Sequence, residues 1–423
     1  IVFLFAIVVI YYLLPKNSWR KAFLLGASYY FYACFELTML PILLAVTGVA
    51  YAYGMYLTKT EKRSKGLLAS TIVLLLLPLL SFKYLDFLMD STGDLLSLAS
   101  LTVEMPDFEL FLPIGISFYT FMAVGYVVDV FKGKVPVEKN LLDFALFVGF
   151  FPQIASGPIG RAGQLIPQLK EKQPLLYRNL SAGVKMMLWG FFMKLVVGDR
   201  AGIYVDTVFG NYLHHNGVSL ILATFMYTIQ IYCDFAGYSL IAIGAARTMG
   251  IELMENFRRP YFATSVADFW RKWHISLSTW FRDYIYIPLG GNRVGKLRGF
   301  FNLAVVWFLT GFWHGADWNY ILWGVYFCVF LILEKAFLRR FLDKCKIFAH
   351  IYSLLVIGFG WTIFFHSDIG AIADSALHMV GIGAAWGNTG VLYALLRWLP
   401  FLILGIIACT PYPKRWIQSL RER

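Results

Sequence analysis

Residues 299–330 read GFFNLAVVWFLTGFWHGADWNYILWGVYFCVF, and apart from one histidine the only acidic or basic residue among them is Asp317. A bilayer is crossed by roughly 20 apolar residues, so this segment is too long for a single membrane helix. It predicts two membrane helices that meet near His314–Asn319, in a hairpin of residues 299–338.

The histidine of this segment, His314, is a candidate catalytic residue. It lies beside Trp313 and between Gly311 and Gly315, whose four-residue spacing lets another backbone approach closely. An ionisable side chain in so apolar a setting is costly, and a functional role is the default hypothesis. Histidine also suits proton transfer near neutral pH. The alternative is a histidine held by a helix–helix hydrogen bond. Trp313 and Asn319 are candidates to line a substrate path.

The whole chain has the composition of a membrane protein. Of its 423 residues, 59% are hydrophobic and 15% are charged, whereas a soluble domain carries roughly 25% charged residues. Hydropathy predicts about ten to twelve membrane helices in a single all-α domain over residues 1–423. The chain starts at Ile1 inside an apolar run, so we expect the N-terminus, and also the C-terminus, to be truncated.

The net charge of +12 is explained by membrane topology rather than by nucleic acid. Short loops with an excess of Lys and Arg face the cytoplasm. This rule places two loops on the cytoplasmic side: one holds Lys16, Arg20 and Lys21, and the other holds Lys59, Lys62, Arg63 and Lys65. The acidic loop at residues 90–109 is assigned to the outside. The five cysteines are scattered, which predicts neither a disulfide framework nor a metal site.

Residues 265–286 are predicted to form one amphipathic helix at the membrane interface. With 3.6 residues per turn, the large apolar side chains of DFWRKWHISLSTWFRDYIY (residues 268–286) share one face. His274 lies at the border of that face, where it is either a second catalytic residue or a structural interfacial histidine. Ser278, on the polar face, is a candidate substrate contact.

Further candidates lie in segments that combine polar residues or helix breakers with apolar surroundings. Asp234, in YCDFAGYS (residues 232–239), is a carboxylate inside a predicted span. It could orient a histidine, bind a polar substrate group or serve as a structural hydrogen-bond hub. The Pro and Gly residues of LPIGISFY (112–119) and FPQIASGPIGR (151–161) predict broken or re-entrant helices that line a cavity, and Arg161 is a candidate there.

Six motifs, in order along the chain, closely resemble the bacterial branch of the membrane-bound O-acyltransferase (MBOAT) family. They are LPIGISFYTF (112–121), FPQIASGPIGR (151–161), YCDFAGYS (232–239), MENFRRPY (254–261), WRKWHISLSTWFRDYIYIPLGGNR (270–293) and GFWHGADWNYILWG (311–324). The likeness is to the branch that acetylates alginate, peptidoglycan and exopolysaccharides. No P-loop, HExxH or GxSxG motif is present.

The resemblance implies tilted helices around a central tunnel in the bacterial cytoplasmic membrane. It implies acetyl-CoA as the cytoplasmic donor, no bound cofactor, a polysaccharide acceptor and a separate extracytoplasmic acetyltransferase as partner. The family's signature histidine falls on His314 and its second motif histidine on His274. Four basic residues near the second motif are candidates to meet the donor phosphates: Arg271, Lys272, Arg282 and Arg293. The alternative is that these residues anchor the loop on the cytoplasmic side of the membrane.

Three other functions stay open at this point, and one of them is a scaffold that recruits an exported acetylating enzyme, for which the histidines would be dispensable. The SGPI at residues 156–159 also resembles the branch that D-alanylates teichoic acid. A polysaccharide or ion transporter would use a tunnel without chemistry, although such proteins often carry inverted repeats and paired broken helices, and the sequence shows no such symmetry.

Overall fold

The computed structural model describes residues 2–60, 63–98, 100–101 and 110–410. Within these ranges all regular structure is helical and there is no strand, which confirms the predicted all-α class. Lys62 and the acidic-loop residues Glu104, Asp107 and Glu109 lie outside the described residues.

Seven helical stretches of the described chain are long and apolar enough to cross a membrane: Asn17–Lys59, Lys65–Leu98, Tyr177–Phe209, Gly217–Thr248, Trp318–Leu342, Lys346–Phe365 and Thr389–Ile407. Three further apolar helical stretches are shorter: Val2–Leu13, Ile116–Phe131 and Leu141–Ile154. The described residues therefore form a polytopic membrane protein, and the count of ten to twelve spans stays a prediction.

The α-helices are numbered along the chain. The first nine are α1 (Val2–Leu13), α2 (Asn17–Glu36), α3 (Leu40–Lys59), α4 (Lys65–Leu98), α5 (Ile116–Phe131), α6 (Leu141–Gly149), α7 (Phe151–Ile154), α8 (Ala162–Lys170) and α9 (Tyr177–Phe191). The others are α10 (Asp199–Phe209), α11 (Gly217–Thr248), α12 (Val266–Trp270), α13 (Ile275–Phe281), α14 (Lys296–His314), α15 (Trp318–Leu333), α16 (Arg339–Leu342), α17 (Lys346–Phe365), α18 (Ile369–Met379) and α19 (Thr389–Cys409). Three π-helical segments interrupt or extend them: Phe192–Gly198, Arg282–Tyr286 and Glu334–Leu338.

The described residues fall into two compact units. One is built from Ile1–Met187 and Ile241–Met254, and the other from Leu188–Leu240 and Glu255–Arg423. The single membrane domain expected over residues 1–423 stays a prediction.

In the first unit, a glycine marks the start of α5. Gly115 precedes α5 with φ +70°, and a Cβ there would lie 2.0 Å from the carbonyl oxygen of Ile154, at the end of α7. Only glycine fits this close backbone approach. Arg20, assigned above to loop charge, is instead buried, and its guanidinium donates to backbone carbonyls of Leu14 and Gln173 at 2.9 and 2.7 Å.

In the second unit, α14 and α15 pack closely and meet at residues 315–317. A Cβ on Gly311 would lie 2.3 Å from the carbonyl oxygen of Tyr320, and one on Gly324 would lie 2.4 Å from that of Trp307. These glycines let the two backbones touch. Asp317 caps α15, because its Oδ1 accepts a hydrogen bond from the Trp318 N–H at 2.6 Å.

Residues 265–286 do not form the single helix that the apolar periodicity predicts. The stretch divides into α12, α13 and a π-helical segment, and His274 between the first two has φ 43° and ψ 55°. The break arises because the N–H groups of Ile275 and Ser276 donate to Asn256, at 2.9 and 3.2 Å, instead of to the preceding turn. Tertiary hydrogen bonds thus override the local helical pattern.

The start of α12 is fixed by a second tertiary contact. The buried carboxylate of Glu334 accepts hydrogen bonds from the N–H groups of Val266 and Ala267, at 2.6 and 3.0 Å. Ser265 adds a capping contact, since its hydroxyl accepts from the Asp268 N–H at 3.0 Å. These partners satisfy orphan donors at the helix N-terminus.

Candidate functional site

The first candidate histidine, His274, is buried in a polar network in the second unit. Its side chain and those of Asn256, Ser276 and Ser239 each have an exposed fraction of 1% or less. The Nδ1 of His274 lies 3.2 Å from the Oδ1 of Asn256, which also accepts hydrogen bonds from the Ser276 hydroxyl at 2.9 Å and the Ser276 N–H at 3.2 Å. The Nδ2 of Asn256 donates to the Ser239 hydroxyl at 3.1 Å.

Two neighbouring loop segments at this network have a strained backbone. Arg259 has φ 50°, although the next residue is Pro260, and His274 has φ 43°. The two segments pair, since the N–H of Arg258 donates to the carbonyl of Lys272 at 2.9 Å. Positive φ at residues other than glycine costs about 1–3 kcal/mol and is often found at functional sites, so this observation points to a role for His274.

Aromatic rings enclose the rest of the His274 imidazole. Its centroid lies 4.7 Å from that of Phe235, 6.5 Å from that of Phe257 and 5.9 Å from that of Trp313. Burial in this setting lowers the pKa of His274 to about 3, because an imidazolium would lose its hydration. Its Nε2 is buried and has no hydrogen-bond partner among the described residues. The side chain is therefore a neutral imidazole at physiological pH.

The second candidate histidine, His314, ends α14 and is only half-buried. Its ring meets those of Trp313, Trp323 and Phe364 edge to face, with centroids 4.8, 4.8 and 5.3 Å apart. The Trp313 indole contacts both histidines. The structure thus brings His274, Trp313 and His314 together, as one site between the α12–α13 break and the end of α14.

Asp234 uses a different side of α11 from the residues that meet His274. Phe235 and Ser239, four residues apart, share the face that serves the His274 network. The carboxylate of Asp234 instead pairs with the ammonium of Lys194 at 2.5 Å, and Lys194 also pairs with Asp199 at 2.5 Å. Of the roles open to Asp234, this placement favours the structural hub.

The remaining candidates occupy three separate environments. The Nδ2 of Asn319 donates to the carbonyl of Phe364, at the end of α17, at 3.2 Å. The Ser278 hydroxyl donates to the carbonyl of Trp273 at 3.3 Å. Arg161 immediately precedes α8 in the first unit. Asn319 therefore orients the end of α17, whose Phe364 contacts His314, and Ser278 supports α13.

The four basic residues proposed for the donor phosphates differ in how far they are engaged. Lys272 pairs with Asp268 at 2.6 Å, and Arg282 donates to Asp283 at 2.8 Å. Arg271 lies 3.5 Å from Asp268 and its side chain is 64% exposed. Arg293 is exposed as well. The Arg282 side chain is also 58% exposed, so the guanidinium groups of Arg271, Arg282 and Arg293 are open to solvent, whereas the Lys272 side chain is 27% exposed.

Asn256, Ser239 and Ser276 are site residues that the sequence reasoning does not single out. Each belongs to a quoted motif, MENFRRPY, YCDFAGYS or the stretch that holds His274. Their side chains are small and uncharged, and neither periodicity nor spacing shows that they converge. The order of the motifs is the only sequence signal that could have found them.

Comparison with known proteins gives the same family for most of the chain. The profile described as MBOAT, membrane-bound O-acyltransferase family, matches residues 24–369. A probable alginate O-acetylase AlgI from Pseudomonas syringae pv. tomato is 38% identical over 374 residues, 86% of this chain and 71% of the relative. The peptidoglycan O-acetyltransferase of Helicobacter pylori is 32% identical, with 86% and 74% covered. The teichoic acid D-alanyltransferase of Streptococcus thermophilus is 33% identical, with 54% and 58% covered.

Proposed function

The chain belongs to the membrane-bound O-acyltransferase family, and we propose that it acetylates a polysaccharide outside a bacterial cytoplasmic membrane, with cytoplasmic acetyl-CoA as donor. The acceptor polymer is alginate, peptidoglycan or another exopolysaccharide. A separate extracytoplasmic acetyltransferase passes the acetyl group to it. The names of the relatives support acetyl transfer, since the alginate and peptidoglycan proteins match over 86% of the chain and the D-alanyltransferase over 54%.

The observation that carries the proposal is the pairing of two unlike histidines around Trp313. His314 is half-buried among aromatic rings, so part of its imidazole stays accessible. His274 is fully buried, neutral and tied to a polar network. Two titratable groups in such different surroundings are suited to different roles in catalysis.

His314 acts as the general base in the proposed reaction. The oxygen of an acceptor hydroxyl attacks the acetyl carbonyl carbon, and its proton passes to the His314 imidazole. The carbon–oxygen bond forms, the carbon–sulfur bond of the thioester breaks, and the leaving thiolate takes up the proton from the His314 imidazolium. A positioned base of this kind contributes roughly 10²–10⁴ in rate.

The donor approaches through the basic cytoplasmic surface near the second motif. Arg271 and Arg293 meet its phosphates, since guanidinium groups pair well with phosphate oxygens. The thioester then enters a tunnel that leads to His314. His274 assists at that point by orienting a reacting group through its free Nε2.

The test is polymer acetylation in cells that carry His314→Ala, with His214→Ala as the matched control. His214 is an exposed histidine in the 3₁₀ turn before α11. We expect His314→Ala to abolish acetylation while its membrane content equals that of wild type, and His214→Ala to acetylate normally. Retained acetylation in His314→Ala removes that residue from the mechanism.

Two measurements separate the alternatives. Mass spectrometry of the cell-wall polymers distinguishes acetyl from D-alanyl groups, and D-alanyl groups that depend on His314 would overturn the acetyl assignment. Purified protein should also hydrolyse labelled acetyl-CoA slowly, and His314→Ala should not. A polysaccharide or ion transporter would show no such turnover.

A further inference from the structure

The Asn256 side chain has a fixed orientation, and its neighbours determine it. A backbone N–H can only donate a hydrogen bond, and the N–H of Ser276 points at the Asn256 atom 3.2 Å away, so that atom is the amide oxygen. The Ser276 hydroxyl donates to the same oxygen at 2.9 Å. The opposite end of the amide then donates to Ser239, which completes the assignment.

The fixed orientation of Asn256 in turn decides the tautomer of His274. The Nδ1 of His274 lies 3.2 Å from the same Oδ1. An unprotonated Nδ1 would direct its lone pair at an oxygen lone pair, which is repulsive, whereas an Nδ1–H donates a hydrogen bond. A neutral imidazole carries one proton, so a protonated Nδ1 leaves Nε2 with a free lone pair.

We propose that Asn256 is a positioning residue that locks His274 in its Nδ1–H tautomer, so that the buried Nε2 is held as a hydrogen-bond acceptor for the acyl-transfer reaction. This inference rests on the proposed function for the reaction, but the tautomer itself does not. The strained φ of His274 supports it, because the same loop pairing that creates the strain brings Nδ1 to Asn256.

No charged group among the described residues contacts the His274 ring. Its neighbours are Asn256 and Ser276 and the rings of Phe235, Phe257 and Trp313. Along the two paired segments, Lys272 pairs with Asp268 and Arg258 with Glu255, and the Arg259 side chain is exposed. Asn256 is therefore the group that sets the ring's protonation pattern.

The tautomer is measured directly by ¹⁵N NMR of the full chain in lipid bilayers, with ¹⁵N-labelled histidine. The spectrum of His274→Gln, subtracted from that of wild type, isolates the His274 resonances. At neutral pH we expect Nδ1 to give a protonated, pyrrole-type signal and Nε2 an unprotonated, pyridine-type signal. The reverse pattern, or an imidazolium, overturns the inference even if the protein acetylates as proposed.

Measurements of acetyl-CoA turnover then test whether the Nδ1–H tautomer held by Asn256 matters for the reaction. Asn256→Leu keeps a similar volume and removes the acceptor oxygen. Partners that orient a metal-bound histidine are typically worth about 10–100-fold, and we expect a fall of that size in kcat with little change in KM for acetyl-CoA. The control is Asn211→Leu, the same substitution at an exposed asparagine, which should match wild type.

Asn256→Asp separates a positioning role from a structural one. The carboxylate still accepts from Nδ1–H, so activity at alkaline pH should exceed that of Asn256→Leu. A nearby negative charge favours the imidazolium, so the His274 ¹⁵N signals should report protonation at a higher pH in Asn256→Asp than in wild type. An unshifted His274 titration in folded Asn256→Asp contradicts the proposal. If wild type fails to turn over acetyl-CoA, the proposed function fails, and the NMR result still decides the tautomer.

Discussion

The two histidines of the site sit in opposite kinds of surroundings. His274 has an exposed fraction of 1%, an amide and a serine on its Nδ1 side, and a backbone conformation held by a paired loop. His314 ends a regular helix, is half-buried and is surrounded by the rings of Trp313, Trp323 and Phe364. The two environments differ as the proposed roles require, a fixed hydrogen-bond acceptor at His274 and a proton acceptor at His314.

The largest effect should come from exchanging each histidine for glutamine. His314→Gln loses the proton acceptor, and we expect acetyl-CoA turnover to fall by roughly 10²–10⁴. In His274→Gln the amide oxygen can still accept a hydrogen bond near the Nε2 position, so the loss should be nearer tenfold, the equivalent of about 1.4 kcal/mol. Equal losses of turnover in the two variants, when both are folded, would contradict different roles for the two histidines.

The next effect is a decrease in the free energy of unfolding as the pH falls. Burial holds the pKa of His274 at about 3 in the folded protein, whereas an unfolded histidine has a pKa of about 6.5. Between these values only the unfolded chain binds the proton, so the stability present above about pH 6.5 is lost on acidification. The loss amounts to about 2 kcal/mol between about pH 7.5 and pH 5.

Unfolding in detergent, followed by tryptophan fluorescence at several pH values, measures this loss. Burial also lowers the pKa of His366 to about 4, and its contribution has the same sign. The relevant quantity is therefore the difference between wild type and His274→Gln, whose stability should depend less on pH. The same pH dependence in both proteins would show that His274 is not buried as described.

A stability effect of similar size concerns the carboxylate that holds the start of α12. The carboxylate of Glu334 accepts from two backbone N–H groups at the start of α12. Glu334→Gln turns one acceptor oxygen into a donor and should cost about 1–3 kcal/mol of unfolding free energy. Glu252→Gln, at an exposed position with a side chain 65% exposed, is the control and should change stability by less than about 0.5 kcal/mol.

Hydropathy and glycine spacing predict much of the second unit correctly. The apolar run at residues 299–330 forms two helices, and Gly311 lies where the backbones touch. These features depend on local composition and on a short sequence interval, which a sequence displays directly.

The break at His274 could not be predicted from the sequence. The pattern of apolar residues across 268–286 fits one helix. Asn256, which lies outside this stretch, accepts hydrogen bonds from the N–H groups of Ile275 and Ser276 that would otherwise continue the helix. Asp234 shows the same limit, since its pairing with Lys194 depends on how α11 packs against the segment before α10. Long-range hydrogen bonds and ion pairs leave no periodic signal.

The pH–rate profile of His274→Gln is the most direct test of the different roles of the two histidines. His274 takes up no second proton above about pH 3 in the folded protein, so it cannot be the group whose protonation stops the reaction near neutral pH. Acetyl-CoA turnover by His274→Gln should be lower than in wild type and fall off at the same acidic pH. Disappearance of that acid limb in His274→Gln would show that His274 is the base and contradict the assignment of that role to His314.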